Sequence, residues 1–340
     1  MILALQAIRP RSTAATGRWS PVLIEASGLD PAKFPEIRAS ADVVGRVSRK
    51  AGADTGLLAG TPVVAGVGDG PSATLGAGIT QEKTGYIYLG SSGWVSMVTR
   101  EPVFDPRFRV FNVCHADPHV VLPFGTMQSA GAAYKWLAER VFYGPSTHGA
   151  RTKSSYEALD REAEDAPKAS RNLLFLPYLM GERSPYYDTA ARGVFLGLTM
   201  IHGRGEMIRA VLEGVAFNLR VILEAFQEQG IDPPELRIIG GGAKSRLWRQ
   251  ILADILGRMI VYPALLDEAT SLGAAIVGGV AVGIFEGFDV AGELVLEKER
   301  QHPDHDQAVR GKYDALYSVF KDAYLANRAI FERLASLDAV

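Results

Sequence analysis

In LRIIGGGAKSRLWRQILADILG, Leu236 to Gly257, a short apolar run meets three consecutive glycines and then a stretch where Leu247, Ile251 and Ile255 recur at helical spacing. Leu236 to Ile239 has the length and composition of a buried strand, and the recurring apolar positions predict an amphipathic helix. Ser245 stands where a short hydroxyl can cap that helix. Gly240, Gly241 and Gly242 lack Cβ atoms, so a flat or anionic ligand can touch the backbone between strand and helix. The unit is not a P-loop, because Ala243 precedes Lys244 where that motif requires Gly-Lys-Ser/Thr, and it lacks GxGxxG spacing.

Further units of the same kind surround it. Downstream, MIVYP (Met259 to Pro263) predicts a strand, and SLGAAIVGGVAVGIF (Ser271 to Phe285) predicts a helix whose small residues allow close backbone approach. Upstream, Ile208, Val211, Leu212, Val215, Leu219, Ile222, Leu223 and Phe226 mark a long helix from about Gly205 to Gln229, closed by Gly230. NLLFLPYL (Asn172 to Leu179) reads as a buried strand and the following GERSPYYDTAARGVFLGLT as a turn-rich loop. QSAGAAYKWLAERVF (Gln128 to Phe142) predicts a helix, and Thr147 to Lys168 a polar helix with loop. GYIYLG, WVSMVT, FRVFNVC and HVVLPF, between Gly85 and Phe124, predict a meander. Before it come a short helix around Pro21 to Ala26, too little to form a core, and the strand Thr61 to Ala65, which runs into GVGDG (Gly66 to Gly70). Pro71 can open a helix there, which puts Asp69 on a strand-to-helix turn. Strands and helices alternating around glycine turns describe a layered α/β fold with ligands at the strand ends.

The bulk numbers exclude several classes of function. The 340 residues are 47% hydrophobic, enough for a core and, by length, for two domains. With 36 basic and 38 acidic residues the formal charge is -2, so no cationic excess is present for nucleic acid or an anionic membrane. Cys114 is the single cysteine, and no basic-then-apolar leader opens the chain. Both features suit a cytoplasmic protein.

Three places can carry chemistry. Asp69, on its glycine turn, can accept a proton from a substrate hydroxyl, although Asp-Gly is also an ordinary turn dipeptide. Gly90, Ser91, Ser92 and Gly93 can aim N–H and hydroxyl groups at a phosphate, or form a plain hairpin loop. The triple glycine is the third. His115 and His119 flank Asp117 at a spacing that suggests a metal pair, but Pro118 interrupts and no further ligands complete the set, so no protein metal site is expected. No GxSxG elbow supports hydrolase chemistry.

YLMGERSPYYDTAARGVFLGLT followed by RAVLEGVAFNLR, then GGGAKSRLWRQILAD and EATSLGAAIVGG, together resemble the FGGY carbohydrate kinases, and among them the xylulokinases. The resemblance implies an actin-like ATPase fold with ribonuclease H-like domains. Residues 1–79 would be a remnant of the N-terminal, sugar-binding domain and residues 80–340 the C-terminal, ATP-binding domain. It implies ATP-dependent phosphorylation of a ketopentose, D-xylulose to D-xylulose 5-phosphate, with ATP and Mg2+ as cofactors. Asp69 would be the catalytic base. Gly90, Ser91 and Gly93 match the second phosphate loop, where Thr is more usual; Gly131 and Lys135 fall at nucleotide contacts, and Gly241, Gly242, Ala243 and Arg246 match the adenosine loop. The family's opening Asp-x-Gly-Thr turn, which supplies the first phosphate loop, is not found in this sequence. The expectation is therefore a truncated or split enzyme, with a second chain carrying that segment as a partner and a homodimer compatible with it. The alternatives are a non-catalytic nucleotide-binding module and an inactive fragment.

Overall fold

The computed structural model describes residues 19–142, 153–265 and 267–337. In chain order these form α1 (Pro21–Ser27), β1 (Val43–Arg46), α2 (Arg49–Thr55), β2 (Pro62–Val64), α3 (Asp69–Gly76), β3 (Gly85–Leu89), β4 (Gly93–Met97), β5 (Phe111–Cys114) and β6 (Val121–Met127). There follow α4 (Gly131–Trp136), α5 (Lys153–Asp165), β7 (Leu174–Leu176), β8 (Val194–Leu196), α6 (Arg204–Gln227), β9 (Glu235–Ile239), α7 (Arg246–Leu256), β10 (Met259–Pro263), α8 (Ala269–Ala281), α9 (Val290–Leu294), β11 (Glu297–Gln301) and α10 (Gln307–Leu337).

The organising feature is a mixed sheet in the order β11-β10-β9-β3-β4-β6-β5. β3, β9 and β10 run parallel, while β4, β6, β5 and β11 join antiparallel. The unit read around the triple glycine is β9, a tight turn and α7. Ser245 caps α7 by accepting from the Trp248 N–H at 3.1 Å. Trp248, Ile251, Leu252 and Ile255 of α7 are buried, as is nearly all of α6 from Ile208 to Phe226. α6 contacts β4, β6 and α7, so its helical stripe forms the core beneath the sheet.

Two readings are modified by the structure, and four elements are new. The helix expected over 128–142 is α4 continued by a π-helical turn, Leu137–Phe142. The loop expected over 181–199 includes β8, which pairs antiparallel with β7 because the chain doubles back between Leu176 and Val194. β1, α2, α9 and β11 were not anticipated; β11 is a charged edge strand, EKERQ, without the apolar alternation that marks a strand. Residues 1–18 and 143–152, including the start of the expected helix at 147, lie outside the described residues.

Before Gly66 the chain contributes little core. α1, α2 and β1 contain no buried residue. β2, expected at Thr61 to Ala65, pairs with β1 in a two-stranded ribbon. The core begins with α3, buried from Pro71 to Gly76. α3 lies against α8 at backbone distance: a Cβ on Gly76 would stand 1.6 Å from the Ala269 carbonyl oxygen, and one on Gly273 would stand 1.8 Å from that of Ser72. The Ser72 hydroxyl donates to the Thr270 carbonyl at 2.9 Å across the same seam. The small-residue run of the sequence is therefore a contact surface that fixes α3, whose first residue is Asp69.

Candidate active site

Asp69 begins α3 directly after the glycine-rich turn Gly66 to Gly68, its carboxylate exposed and, among the described residues, accepting only from the adjacent Gly70 N–H, at 2.9 Å. Its helix is tied to the sheet through Tyr86 on β3. The buried Tyr86 hydroxyl donates to the Gly70 carbonyl at 3.3 Å and accepts from Thr74 Oγ1 at 3.1 Å and from the Trp94 indole N–H at 3.0 Å. Burial of the ring holds the Tyr86 phenol far above its ordinary range, so it stays a neutral donor. One hydroxyl thus couples the Asp69 turn to both strands of the β3–β4 hairpin.

That hairpin separates two cavities. The first, about 590 Å³, is lined by Gly68, Asp69, Gly70, Ser92, Trp94, Phe124, Thr126 and Arg183, among others. The second, about 580 Å³, is lined by Tyr88, Gly90, Ser91, Gly131, Lys135, Gly241 and Gly242, with Tyr134, Asp160 and Trp248. Ser91 belongs to one cavity and its neighbour Ser92 to the other. Behind them Tyr88 and Trp94 stack at 3.8 Å, again one ring per cavity. The turn is stapled to the start of α4: the Gly131 N–H donates to the Gly90 carbonyl at 2.8 Å, and the Ala130 and Ala132 N–H groups to the Ser91 carbonyl at 2.9 and 3.0 Å. A Cβ on Gly131 would sit 2.5 Å from the Gly90 oxygen, so glycine is required for that contact.

The structure brings Gly90, Ser91, Gly131, Lys135, Gly241 and Gly242 to one cavity and Asp69 to the adjoining one. Three expected residues are not in either wall. Gly93 is buried, with a Cβ there meeting Ala130 at 3.0 Å; Ala243 is buried beneath the turn, its carbonyl accepting from Arg249 at 2.7 Å; Arg246 turns outward toward Glu299, at 3.7 Å. Gly240 takes φ +93° against the Leu89 backbone, which lets β9 and β3 end side by side under the cavity floor. Gly241 faces open space.

Sequence reasoning missed the aromatic lining and two charged groups. The Tyr134 hydroxyl donates to Asp160 Oδ1 at 2.8 Å, and burial pushes the Asp160 carboxyl above its usual range. Arg183 reaches the Asp69 cavity from the GERSP loop. The alternation Tyr86, Tyr88, Trp94 across the glycine turn was the available signal for the first, and the charged pair inside a turn-rich stretch for the second.

His115 and His119 do not act together: His115 is buried in the wall of the Asp69 cavity and His119 is exposed. Among the described residues no three His, Cys, Asp or Glu side chains converge. The His115 Nδ1 accepts from the Asp117 N–H at 3.0 Å and its Nε2 is buried, so burial drives the imidazolium form down to about 4. Unfolding restores a value near 6.5. Between those values the unfolded chain binds the extra proton, so stability present above about pH 6.5 is lost as pH falls toward 4, by on the order of 3 kcal/mol. Replacing His115 by Phe is expected to flatten this acid limb in thermal melts at pH 4.5 to 7.5; parallel parent and variant curves would refute the assignment. Cys114, half-buried in the same wall, has its thiol raised by burial and is a poor nucleophile.

Among the described residues no helix is long and apolar enough to cross a membrane. Comparison with known proteins places this architecture. Family models for the C-terminal and N-terminal domains of FGGY carbohydrate kinases match residues 85–282 and 13–76. The chain is 34% identical to the xylulose kinase of Escherichia coli over 263 residues, 77% of this chain and 52% of that protein. It is 30% identical to the gluconokinase of Bacillus subtilis over 305 residues, 89% of this chain and 58% of that protein. The chain thus spans little more than half the length of these curated relatives. A ligand-bound xylulose kinase from Lactobacillus acidophilus superimposes with a TM-score of 0.85 at 26% identity, covering 94% of this chain and 63% of that one. With an actin-like mixed sheet, both domain models in order and these relatives, the chain belongs to the FGGY family of carbohydrate kinases.

Proposed function

We propose that this chain carries ATP-dependent phosphorylation of a sugar hydroxyl, with D-xylulose converted to D-xylulose 5-phosphate. The observation that carries the reading is the pair of cavities meeting at Ser91 and Ser92, with the glycine cradle on one side and Asp69 on the other. In-line phosphoryl transfer needs that layout: donor and acceptor in separate compartments that share an edge. Asp69 accepts the hydroxyl proton, the oxygen forms its bond to the γ-phosphorus, and the bond to the leaving β-phosphate oxygen breaks with its electron pair retained by ADP. Backbone N–H groups around Gly90 and Gly241 suit the phosphates, and the stacked aromatic walls suit the base and the sugar faces. Among the described residues no three His, Cys, Asp or Glu side chains converge, so a magnesium ion would have to come held by the nucleotide's phosphates, and it would supply charge neutralisation. The division at residue 79 is supported by the cavities themselves. The nucleotide side is built wholly from residues 88–248, while the acceptor side also draws on Ile37, Arg38, Ser40 and Gly66 to Pro71.

A coupled assay for ADP release with D-xylulose, and with D-gluconate as the competing acceptor, tests the reading. Turnover faster with D-gluconate would move the substrate, and calorimetric ATP binding without turnover on any sugar would leave only a nucleotide-binding module. The nucleotide side has its own probe. Because a side chain at Gly241 meets nothing within 4 Å and projects into the cavity, Gly241→Leu is expected to weaken ATP at least ~30-fold with an unchanged Tm. Unchanged affinity in calorimetry would place the nucleotide elsewhere.

A further inference from the structure

Among the described residues the buried arginines are ion-paired scaffolding: Arg109 with Asp105 at 2.7 Å, Arg209 with Glu213 at 2.8 Å, Arg249 with Glu299 at 2.6 Å. Arg183 differs in each respect. It is exposed, lines the acceptor cavity, and has no ion pair or side-chain hydrogen bond among the described residues. Arg38, the other arginine of that cavity, is paired with Glu36 at 2.8 Å.

Arg183 is nevertheless rigidly mounted. Its N–H donates to Glu182 Oε1 at 2.7 Å, the Ser184 N–H donates to the Thr126 carbonyl at 2.9 Å, and the Ser184 hydroxyl donates to the Arg109 carbonyl. The buried Glu182 carboxyl group, which burial pushes up to about 8, also accepts from the Gln128 N–H at 2.6 Å and from the Asn218 amide at 3.0 Å, joining the loop to the end of β6 and to α6. Three donors, the Arg183 and Gln128 N–H groups and the Asn218 amide, converge on that one side chain, so removing it would leave them without their acceptor. Register gives its position: Thr126 lies opposite Trp94 and Met127 opposite Gly93, which puts Gln128 beside Ser92 at the hairpin turn. Glu182 and Arg183 are therefore anchored where the two cavities meet.

We propose that the Arg183 guanidinium binds the non-bridging oxygens of the phosphoryl group as it passes from nucleotide to acceptor, with Glu182 as the positioning residue that holds its backbone. The proposal rests on the phosphotransfer reading above. Arg183 exchanges no proton or electron pair: the hydroxyl proton goes to Asp69, the leaving pair to ADP, and the planar fork of donors meets the charge on the transferring group.

The test uses the intact chain with ADP and orthovanadate, a mimic of the group in transit, followed by calorimetry, and compares the parent with Arg183→Gln and Arg183→Lys. Orthovanadate is expected to tighten ADP at least ~10-fold in the parent, less in Arg183→Lys and not in Arg183→Gln, while ADP alone binds all three within about twofold and Tm is unchanged. In turnover, Arg183→Gln is expected to lower kcat by ~10²- to 10³-fold with the acceptor KM within about threefold. A vanadate gain retained in Arg183→Gln, or absent from a parent that binds ADP, overturns the proposal. A raised KM for D-gluconate with intact kcat also overturns it and assigns the cation to acceptor recognition. A parent that does not bind ADP at all is a different result, since it removes the phosphotransfer reading itself.

Discussion

Asp69→Asn is expected to lower turnover by ~10³-fold or more while ATP and acceptor affinities stay within about twofold. The amide is nearly isosteric, and the one hydrogen bond the side chain makes among the described residues, from the Gly70 N–H, survives on its carbonyl oxygen. Asp69 is exposed and no cation of the described residues pairs with it, so the fold does not rest on an ion pair at this carboxylate. What the substitution removes is the proton acceptor at the acceptor side of the hairpin. Steady-state kinetics with a thermal melt as control decide the matter. Activity within tenfold of the parent would mean that another group takes the hydroxyl proton, and the pairing of Asp69 with the glycine cradle would lose its functional meaning.

The second large effect concerns stability and comes from two glycines on one helix. Gly273→Ala places a Cβ 1.8 Å from the Ser72 carbonyl, whereas Gly278→Ala meets nothing within 4 Å. Helix propensity favours Ala at both sites by roughly 0.5–1 kcal/mol. At Gly278 that is the whole effect, so a small gain is expected. At Gly273 two backbones must separate, and a net loss of about 3 kcal/mol is expected from the strain and the packing it opens. Denaturant titrations of the two variants should therefore shift in opposite directions. Because Ser72 stands three residues after Asp69 in α3, Gly273→Ala should also depress kcat beyond what its unfolded fraction explains. Equal midpoints for the two variants would show that α3 and α8 are not in backbone contact.

Much of this layout was legible beforehand, for identifiable reasons. The β9 turn and α7, the α6 stripe, the meander and the strand before Asp69 each carry a period or a glycine signature set by local backbone preference. The placement of Asp69, Ser91, Gly131, Lys135, Gly241 and Gly242 in cavity walls followed the same local rules. Arg246 did not follow them: its place next to a glycine turn says nothing of where a long side chain goes, and Glu299, on an edge strand distant in sequence, draws it away. Ala243 and Gly93 failed for a related reason, since a turn residue can support a cavity from behind without entering it.

What the sequence by itself determined was the set of strand-turn-helix units, the family, and the residue types at the turns, because glycine, proline and apolar period act over a few residues. Only the tertiary structure decided that Ser91 and Ser92 face different cavities, that Tyr86 ties the Asp69 turn to the hairpin, and that the Glu182–Arg183 loop reaches the same place. These depend on strand register and on backbone contacts between segments many residues apart. Alternation along β3 and β4 says only that neighbours point to opposite sides, and the packing of α3, α6 and the GERSP loop settles what stands on each.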